Sequence, residues 1–167
     1  MAFTASVAFE QSYGGIDGDS ASGAETICLL SALTGIPIKQ SMAITGAVDQ
    51  RGHLEAIGGV NEKIEGYFDA CNYFGLTGYQ GVVIPKSNAG DLMLRSDIVA
   101  AAEVGKFRVH AVDNIYDAIE LMTGVPAGQA DASGVYPEGS LLDKAQQQIG
   151  DYWRKSLSSP NHLPPSV

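Results

Sequence analysis

The sequence predicts an α/β fold in which helices pack on a mixed β-sheet. Short segments with the apolar patterning of strands alternate with longer segments of helical periodicity. Residues 81–85 form a continuous apolar run, which is typical of a strand that is buried on both faces of an α/β sheet. A Gly-rich turn over residues 18–23 separates a strand-like run from an apolar helix-like run, as in a strand–turn–helix unit.

The first half of the chain predicts a strand, a helix and a hairpin. Apolar and polar residues alternate over residues 6–12, as they do in a strand. Residues 24–33 are nearly all apolar, so we expect a helix that is buried on most sides. Residues 41–48 and 53–57 are predicted as the two strands of a β-hairpin, because a polar turn that ends at Gly52 separates them.

The second half predicts further helices and strands in alternation. Ile64, Tyr67, Phe68 and Cys71 recur at helical spacing and indicate a helix over residues 61–74. The elements expected after this helix are a strand over 81–85, at least one helical turn within 88–94, a helix over 98–104, a strand over 107–112 and a helix over 114–122.

The predicted domain organisation has four parts. Residues 1–126 form one α/β domain, whose length allows an adequate core. Residues 127–139 are small and polar, as in a linker. A helix is expected over residues 140–157, because the Ser140–Asp143 spacing is typical of a capping box. We expect its apolar stripe to dock on the domain or on a neighbour, and we expect residues 158–167 to be disordered.

Composition excludes several classes of function. The net charge is −9 and Lys and Arg do not cluster, so we expect no nucleic-acid-binding face. No apolar run reaches the length of a membrane span, and the N-terminus does not have the pattern of a signal peptide. Cys28 and Cys71 lie on apolar stretches of predicted helices, so we interpret them as reduced core residues of a cytoplasmic protein. The scattered histidines and cysteines predict no metal site.

Ser20 is the polar side chain best placed to be presented by the turn before the first helix. Small polar residues in this position commonly cap the helix, so Ser20 or Asp19 can be interpreted as an N-cap. The alternative is that Ser20 is a nucleophile, because a helix N-terminus also directs free backbone N–H groups at whatever lies in front of it.

Lys63 favours the second interpretation. It follows the turn formed by Gly58 and Gly59 and stands early in a predicted amphipathic helix. A serine hydroxyl is a poor nucleophile until a base takes its proton, and a neutral lysine amine can do so. Such a lysine must lie beside Ser20 and be partly buried, whereas a lysine on a helix is by default a solvated surface residue.

Together these segments resemble the proteolytic domain of Lon proteases. Residues 17–21 match the family's Asp-Gly-x-Ser-Ala turn, and residues 58–63 match its Gly-Gly-x-x-Glu-Lys segment. Between them lie further matches in the family's order, over residues 33–37, 43–46 and 51–52. The resemblance covers about residues 5–124, and the acidic residue before Ser20 is similar to the Lon-B branch and its bacterial relatives.

The resemblance implies a role for each matching residue. Ser20 is the nucleophile, Lys63 the general base, and Thr45 the residue that hydrogen-bonds and orients the lysine. From the residues themselves, we expect Asp17 either to shape the turn or to pair with a charged Lys63, and we expect backbone N–H groups of Ser20 and of the Asp17–Asp19 turn to form the oxyanion hole. From the residues alone, two rival bases remain, and they are His53 and His110.

The resemblance also implies the wider setting. Lon proteases degrade unfolded or damaged proteins with the help of an AAA+ ATPase module, which binds ATP and Mg, and they work as homo-hexamers. No phosphate-binding Gly-x-x-x-x-Gly-Lys-Ser/Thr loop occurs in this sequence, so we expect this chain to hold no cofactor. We expect it to be an excised piece that lacks the N-terminal part of the family domain and the ATPase module.

A catalytically silent Lon-like scaffold or binding module is the alternative function. Some ATPases carry Lon-like domains that keep the Gly-Gly-x-x-Glu-Lys region but lack the serine turn. This chain keeps both Ser20 and Lys63, which favours the peptidase.

Overall fold

The structure is a computed structural model that describes residues 5–8 and 18–158. Its helices are α1 Ser22–Thr34, α2 Val60–Phe74, α3 Ser96–Glu103, α4 Ile115–Thr123 and α5 Leu141–Ser158, and a 3₁₀ helix spans Lys86–Asp91. Its strands are β1 Met42–Ile44, β2 Ala47–Val48, β3 Leu54–Glu55, β4 Gln80–Pro85 and β5 Phe107–Val112.

The described strands form a parallel sheet and an antiparallel ribbon. In the sheet, β4 lies between β1 and β5 and pairs in parallel with both, so that Ala43 is beside Val82 and His110 is beside Val83. In the ribbon, β2 pairs with β3. Since β4 is almost entirely buried, its continuous apolar sequence is explained, and the predicted α/β class is confirmed.

Apolar side chains fill both faces of the sheet. On one face, α2 and α3 bury a cluster in which the ring of Phe68 meets the ring of Phe107 edge-on at 5.2 Å between centroids. On the other face, a larger cluster joins α1, α4 and the start of α5 around Val83 and Ile119. Each such side chain stabilises the fold by about 1.5–3 kcal/mol when it is fully buried. These two clusters hold the N-termini of α1 and α2 on the same side of the molecule as the end of β1.

The strand predicted over residues 41–48 is wrong as a single strand. The chain leaves the sheet at Thr45 and Gly46, so that β1 belongs to the sheet and β2 to the ribbon. The amide of Gly46 donates to the carbonyl of Ser20, and its carbonyl accepts from the amide of Gly23. Any side chain at position 46 would collide with Leu54, because a Cβ there would lie 2.7 Å from a leucine methyl carbon.

The expectation that the first helix is buried on most sides is also wrong. In α1 only Gly23 and Ile27 are fully buried, while Leu29 is exposed. Among the described elements, the helix packs on the ribbon and on α5, and a side that includes Cys28 and Leu29 is left exposed. Cys28 is therefore exposed and Cys71 is half-buried, so neither is the fully buried core residue expected; both are free thiols.

Several predicted elements appear where the sequence places them. The helix α2, the strands β4 and β5, and α4 agree with the predicted ranges to within one or two residues, and the start of α5 has the predicted cap at Ser140. Residues 5–8 form no strand with the described residues. The rest of the strand predicted over 6–12, and residues 159–167 of the predicted tail, lie outside the described residues.

Candidate active site

Ser20 lies in the turn that leads into α1, and its side chain does not cap that helix. The N-cap residue is Ala21, which already has helical dihedral angles of φ −91° and ψ −10°. Among the residues that the structure describes, no side chain accepts a hydrogen bond from the first turn of the helix. The structure therefore does not support the interpretation of Ser20 as a helix cap.

Lys63 lies in the first turn of α2 and reaches across to Ser20. The helix begins after Gly59, whose positive φ of 67° turns the chain sharply out of the preceding loop. The Nζ atom of Lys63 donates a hydrogen bond to the Oγ atom of Ser20 at 2.9 Å, although the two residues are 43 positions apart in the sequence. The sequence predicts this contact, and the structure contains it.

Thr45 is the third residue of the cluster. It is a buried polar side chain, and its Oγ1 atom accepts a hydrogen bond from Lys63 Nζ at 3.4 Å and donates one to the carbonyl of Ser20 at 3.3 Å. The amide of Gly46 donates to the same carbonyl at 2.9 Å. The end of β1 thus holds the serine turn by its backbone and the lysine by its amine.

The turn before α1 also contains amides that could meet a negative charge. Among the described residues, none accepts a hydrogen bond from the amides of Asp19 or Ser20. The N-terminal end of the α1 dipole adds positive potential at this point. Asp17 lies outside the described residues, so its predicted part in this turn and beside Lys63 stays a prediction, as does the oxyanion hole.

The three polar side chains open onto a cavity of about 300 Å³. Most of its surface is apolar, and it lies on the face of the sheet that α2 covers. Its apolar walls are Ala21, Ala24, Ala43, Ile44, Tyr67 and Val82. Lys63 is exposed, which differs from the expected partial burial, because the lysine projects from the first turn of its helix over the mouth of this cavity.

The histidines proposed as rival bases are not among the residues that line this cavity. His53 lies on the ribbon side, where its Nδ1 atom is 2.9 Å from a carboxylate oxygen of Asp49. That hydrogen bond lowers the pKa of Asp49 to about 2. His110 lies on β5, where burial, together with the charges of Arg108 and Lys39, lowers its pKa.

Sequence reasoning missed one residue of the site. It assigned Tyr67 to the apolar face of its helix only, whereas the structure places Tyr67 in the cavity wall. The signal was present, because a residue four positions after Lys63 on a helix lies on the same face. Burial, with a smaller contribution from a hydrogen bond to Cys71, raises the pKa of Tyr67 to about 12.

Other kinds of site receive no support from the part of the chain that the structure describes. There, no group of three or more histidine, cysteine, aspartate or glutamate residues is arranged to hold a metal ion. In the same part, no helix has both the length and the apolar character that crossing a membrane requires.

Comparison with known sequences gives a consistent set of similarities. A family model of the Lon protease (S16) C-terminal proteolytic domain matches residues 13–123. A Lon protease homolog of Escherichia coli (strain K12) is 54% identical over 149 residues, which cover 89% of this chain and 25% of that protein. A Lon protease homolog of Haemophilus influenzae is 50% identical over 74% of this chain and 21% of that protein.

Archaeal proteins are similar over a shorter region. An archaeal Lon protease of Methanocaldococcus jannaschii is 48% identical over 87 residues, which cover 52% of this chain and 12% of that protein. The chain thus spans about a quarter or less of the length of these curated relatives.

Proposed function

The chain belongs to the family of the Lon protease (S16) C-terminal proteolytic domain, and we propose that it is a serine endopeptidase with a catalytic dyad of Ser20 and Lys63. The observation that carries the proposal is the 2.9 Å hydrogen bond between Lys63 Nζ and Ser20 Oγ at the mouth of a cavity. A nucleophile and its base must lie within this distance for the proton to move between them.

In the proposed reaction, Ser20 attacks the carbonyl carbon of a peptide bond. The new bond joins Ser20 Oγ to that carbon, and the hydroxyl proton passes to an uncharged Lys63 amine. When the C–N bond breaks, the same proton passes to the departing amine. A water molecule then attacks the ester on Ser20, gives a proton to Lys63, and Ser20 leaves with that proton restored.

Positioning and charge stabilisation have separate sources in this proposal. Thr45 holds the lysine amine through its hydroxyl and fixes the carbonyl of Ser20, so it limits the orientations of both reacting groups. The negative charge on the attacked oxygen would be stabilised by amides of the serine turn at the start of α1. Asp17, outside the described residues, would complete that turn.

The exposure of Lys63 is compatible with a role as base only when substrate is bound. A peptide that lies over the cavity would exclude water from the amine and so favour its uncharged form. Only the uncharged amine can accept the serine proton, so bound substrate would complete the base as well as supply the reacting bond.

The setting that we propose for this domain follows its family. In a longer protein, an AAA+ ATPase module that holds ATP and Mg would unfold damaged proteins and feed them to Ser20, in a cytoplasmic homo-hexamer. The isolated chain would then cleave peptides and unstructured proteins, and it would bind no nucleotide. Calorimetry with ATP tests the last point, and tight binding would contradict it.

The test of the dyad is peptide and casein hydrolysis by the chain and by Ser20→Ala. We expect the substitution to abolish cleavage and to prevent covalent labelling by a fluorophosphonate, which reacts with activated serines. Ser87→Ala is the matched control, because Ser87 is an exposed serine on the 3₁₀ helix. A wild-type chain that neither cleaves nor becomes labelled at Ser20 would favour the silent scaffold instead.

A further inference from the structure

We propose that a pocket at the start of the parallel sheet, at the end of β1 away from Ser20, binds a phosphoryl group. The group would come either from free phosphate or from a phosphate monoester. The pocket has a volume of about 250 Å³ and shares no lining residue with the cavity of Ser20. The inference therefore goes beyond the proposed peptidase and does not depend on it.

The fold brings three basic side chains together in this pocket, although the sequence keeps the first of them far from the other two. Lys39 precedes β1, whereas Arg108 and His110 lie on β5. Both strands pair in parallel with β4, and Met42, Gly81 and Arg108 stand side by side in the register of the sheet. Side chains two positions apart on a strand point to the same face, so Arg108 and His110 share one side of the sheet. A basic pocket thus forms without any basic run in the sequence.

The two permanent cations of the pocket keep donors for a ligand. Lys39 Nζ donates one hydrogen bond to the carbonyl of Leu121 at 2.9 Å, and the guanidinium of Arg108 donates one to the carbonyl of Gly78. Among the described residues, neither cation pairs with a carboxylate. An ammonium group has three N–H donors and a guanidinium has five, so most of these donors remain unused.

The rest of the pocket wall supplies uncharged donors and no carboxylate. Ser41 and Tyr79 contribute hydroxyl groups, and no described aspartate or glutamate is among the lining residues. His110 is half-buried there, and burial, together with the positive charges of Arg108 and Lys39, lowers its pKa. Positive charge is therefore concentrated here on a chain whose net charge is −9, and we expect the pocket to attract anions.

The number and type of donors favour a phosphoryl group over a carboxylate. A phosphate monoester carries about two negative charges near neutral pH and has three strong acceptor oxygens. A carboxylate carries one charge on two oxygens. Two permanent cations and two hydroxyl groups match the phosphoryl group better, and the planar fork of Arg108 suits two of its oxygens at once.

The experiment follows the ring signals of His110 and His53 by NMR while inorganic phosphate is added to the chain at constant ionic strength. We expect saturable changes at His110 and a rise in its pKa, because a bound anion favours the charged imidazole. The other titratable side chains that line the pocket are Lys39, Tyr79 and Arg108. His53 is the matched control, since it lies outside the pocket, and its signals should not change.

Variants of the cations test whether the pocket is responsible. Arg108→Gln and Lys39→Gln should each lower the affinity for phosphate by about tenfold or more, because each removes a charged donor. Lys39→Arg keeps the charge and should retain most of the affinity. If one glutamine variant fails to fold, as judged by its thermal unfolding, the other provides the same test.

Lys106→Gln is the matched control for net charge, because Lys106 is an exposed lysine beside β5 that does not line the pocket. It should bind phosphate as the wild type does, and so should Ser20→Ala. A Lys106→Gln variant that loses as much affinity as Arg108→Gln would overturn the inference, since the effect would then come from net charge alone.

O-phosphoserine and acetate identify the chemistry of the anion. Competition by O-phosphoserine would show that the pocket accepts a phosphate monoester, and binding of inorganic phosphate alone would show that it takes the free ion; both results support the inference. Acetate that binds as tightly as phosphate would overturn it, as would His110 signals that phosphate leaves unchanged. None of these measurements uses peptidase activity, so a failure of the proposed function would not change their outcome.

Discussion

Ser20 and Ser140 both stand just before a helix, but their hydroxyl groups have partners of different kinds. The Oγ atom of Ser140 accepts a hydrogen bond from the amide of Asp143 at 3.3 Å, and the Asp143 carboxylate accepts one from the amide of Gly139 at 2.8 Å. This reciprocal pattern is a helix cap made entirely from neighbours in sequence. The hydroxyl of Ser20 instead meets an amine from a different helix.

The difference shows how a serine that caps a helix can be distinguished from one that is proposed to act as a nucleophile. Ser140 is followed three positions later by an acidic residue and is only 4% exposed, so its hydroxyl is satisfied locally and shielded. Ser20 is followed three positions later by Gly23, which packs closely against the carbonyl of Gly46. The helix after Ser20 therefore begins without a side-chain cap, and its serine is left at the mouth of a cavity.

The largest expected effect is on activity at the serine turn. Ser20→Ala and Lys63→Ala should each lower kcat by about a thousandfold or more, and the double variant should be no worse, because members of a dyad act as one unit. Peptide hydrolysis measures this. Ser140→Ala should retain the wild-type rate at a temperature where it is folded. Substantial activity in Lys63→Ala would contradict the dyad and require another base.

The next effect concerns Thr45, which links the two regions of the proposed site. Thr45→Val keeps the shape of the side chain but removes the hydroxyl that contacts Lys63 and the carbonyl of Ser20. We expect kcat to fall by about tenfold to a hundredfold, because Lys63 and the serine turn lose the contacts that orient them. Thr45→Ser should recover most of the rate. An unchanged kcat in a folded Thr45→Val would show that the Thr45 hydroxyl is not needed to orient Lys63 or the serine turn.

Local signals explain the parts of the fold that the sequence predicts well. The strand β4 is apolar throughout, α2 has helical periodicity after two glycines, and Asn114 and Ser140 precede their helices as caps. Each of these signals involves residues that are neighbours in the chain. The candidate active site was predicted in another way, from several short motifs that occur in the same order as in Lon proteolytic domains.

The missed features all depend on contacts between distant residues. Nothing within residues 41–48 shows that the strand must break, because the break is set by hydrogen bonds from Gly46 to the serine turn. The open side of α1 was missed because apolar residues occur all round that helix. Helical spacing places Tyr67 on the same face as Lys63, but its position in the cavity wall also depends on where α2 meets β1, which spacing does not reveal.

A smaller effect is expected for stability at the capped helix. Ser140→Ala should lower the free energy of unfolding by about 1 kcal/mol, because it removes an N-cap. For a chain of this size, that corresponds to a fall in Tm of about 2–4 °C. Ser20→Ala should change Tm by less, since its hydroxyl caps no helix. Equal losses of Tm in the two variants, measured by calorimetry, would remove the distinction between these serines.

The smallest effect is expected for the pair of Asp49 and His53. These two residues are close together in the sequence, as Ser140 and its partner are. His53 lies outside the cavity of Ser20, so His53→Gln should leave peptidase activity unchanged. A large loss of activity in that variant would indicate that His53 acts as the base and would contradict the proposed role of Lys63.

The effect of this pair should appear instead in the pH dependence of stability. The pKa of Asp49 falls from 3.8 to about 2 in the folded chain, mainly through its hydrogen bond with the His53 side chain. A lowered carboxylate pKa stabilises the folded state above about pH 4, and this contribution disappears as the pH falls to about 2. Asp49→Asn removes the charge while its side-chain oxygen can still accept from the amides of Arg51 and His53. Urea unfolding should therefore find the variant slightly less stable at neutral pH and equal to the wild type near pH 2; a difference that persists unchanged at pH 2 would show that the charge is not its cause.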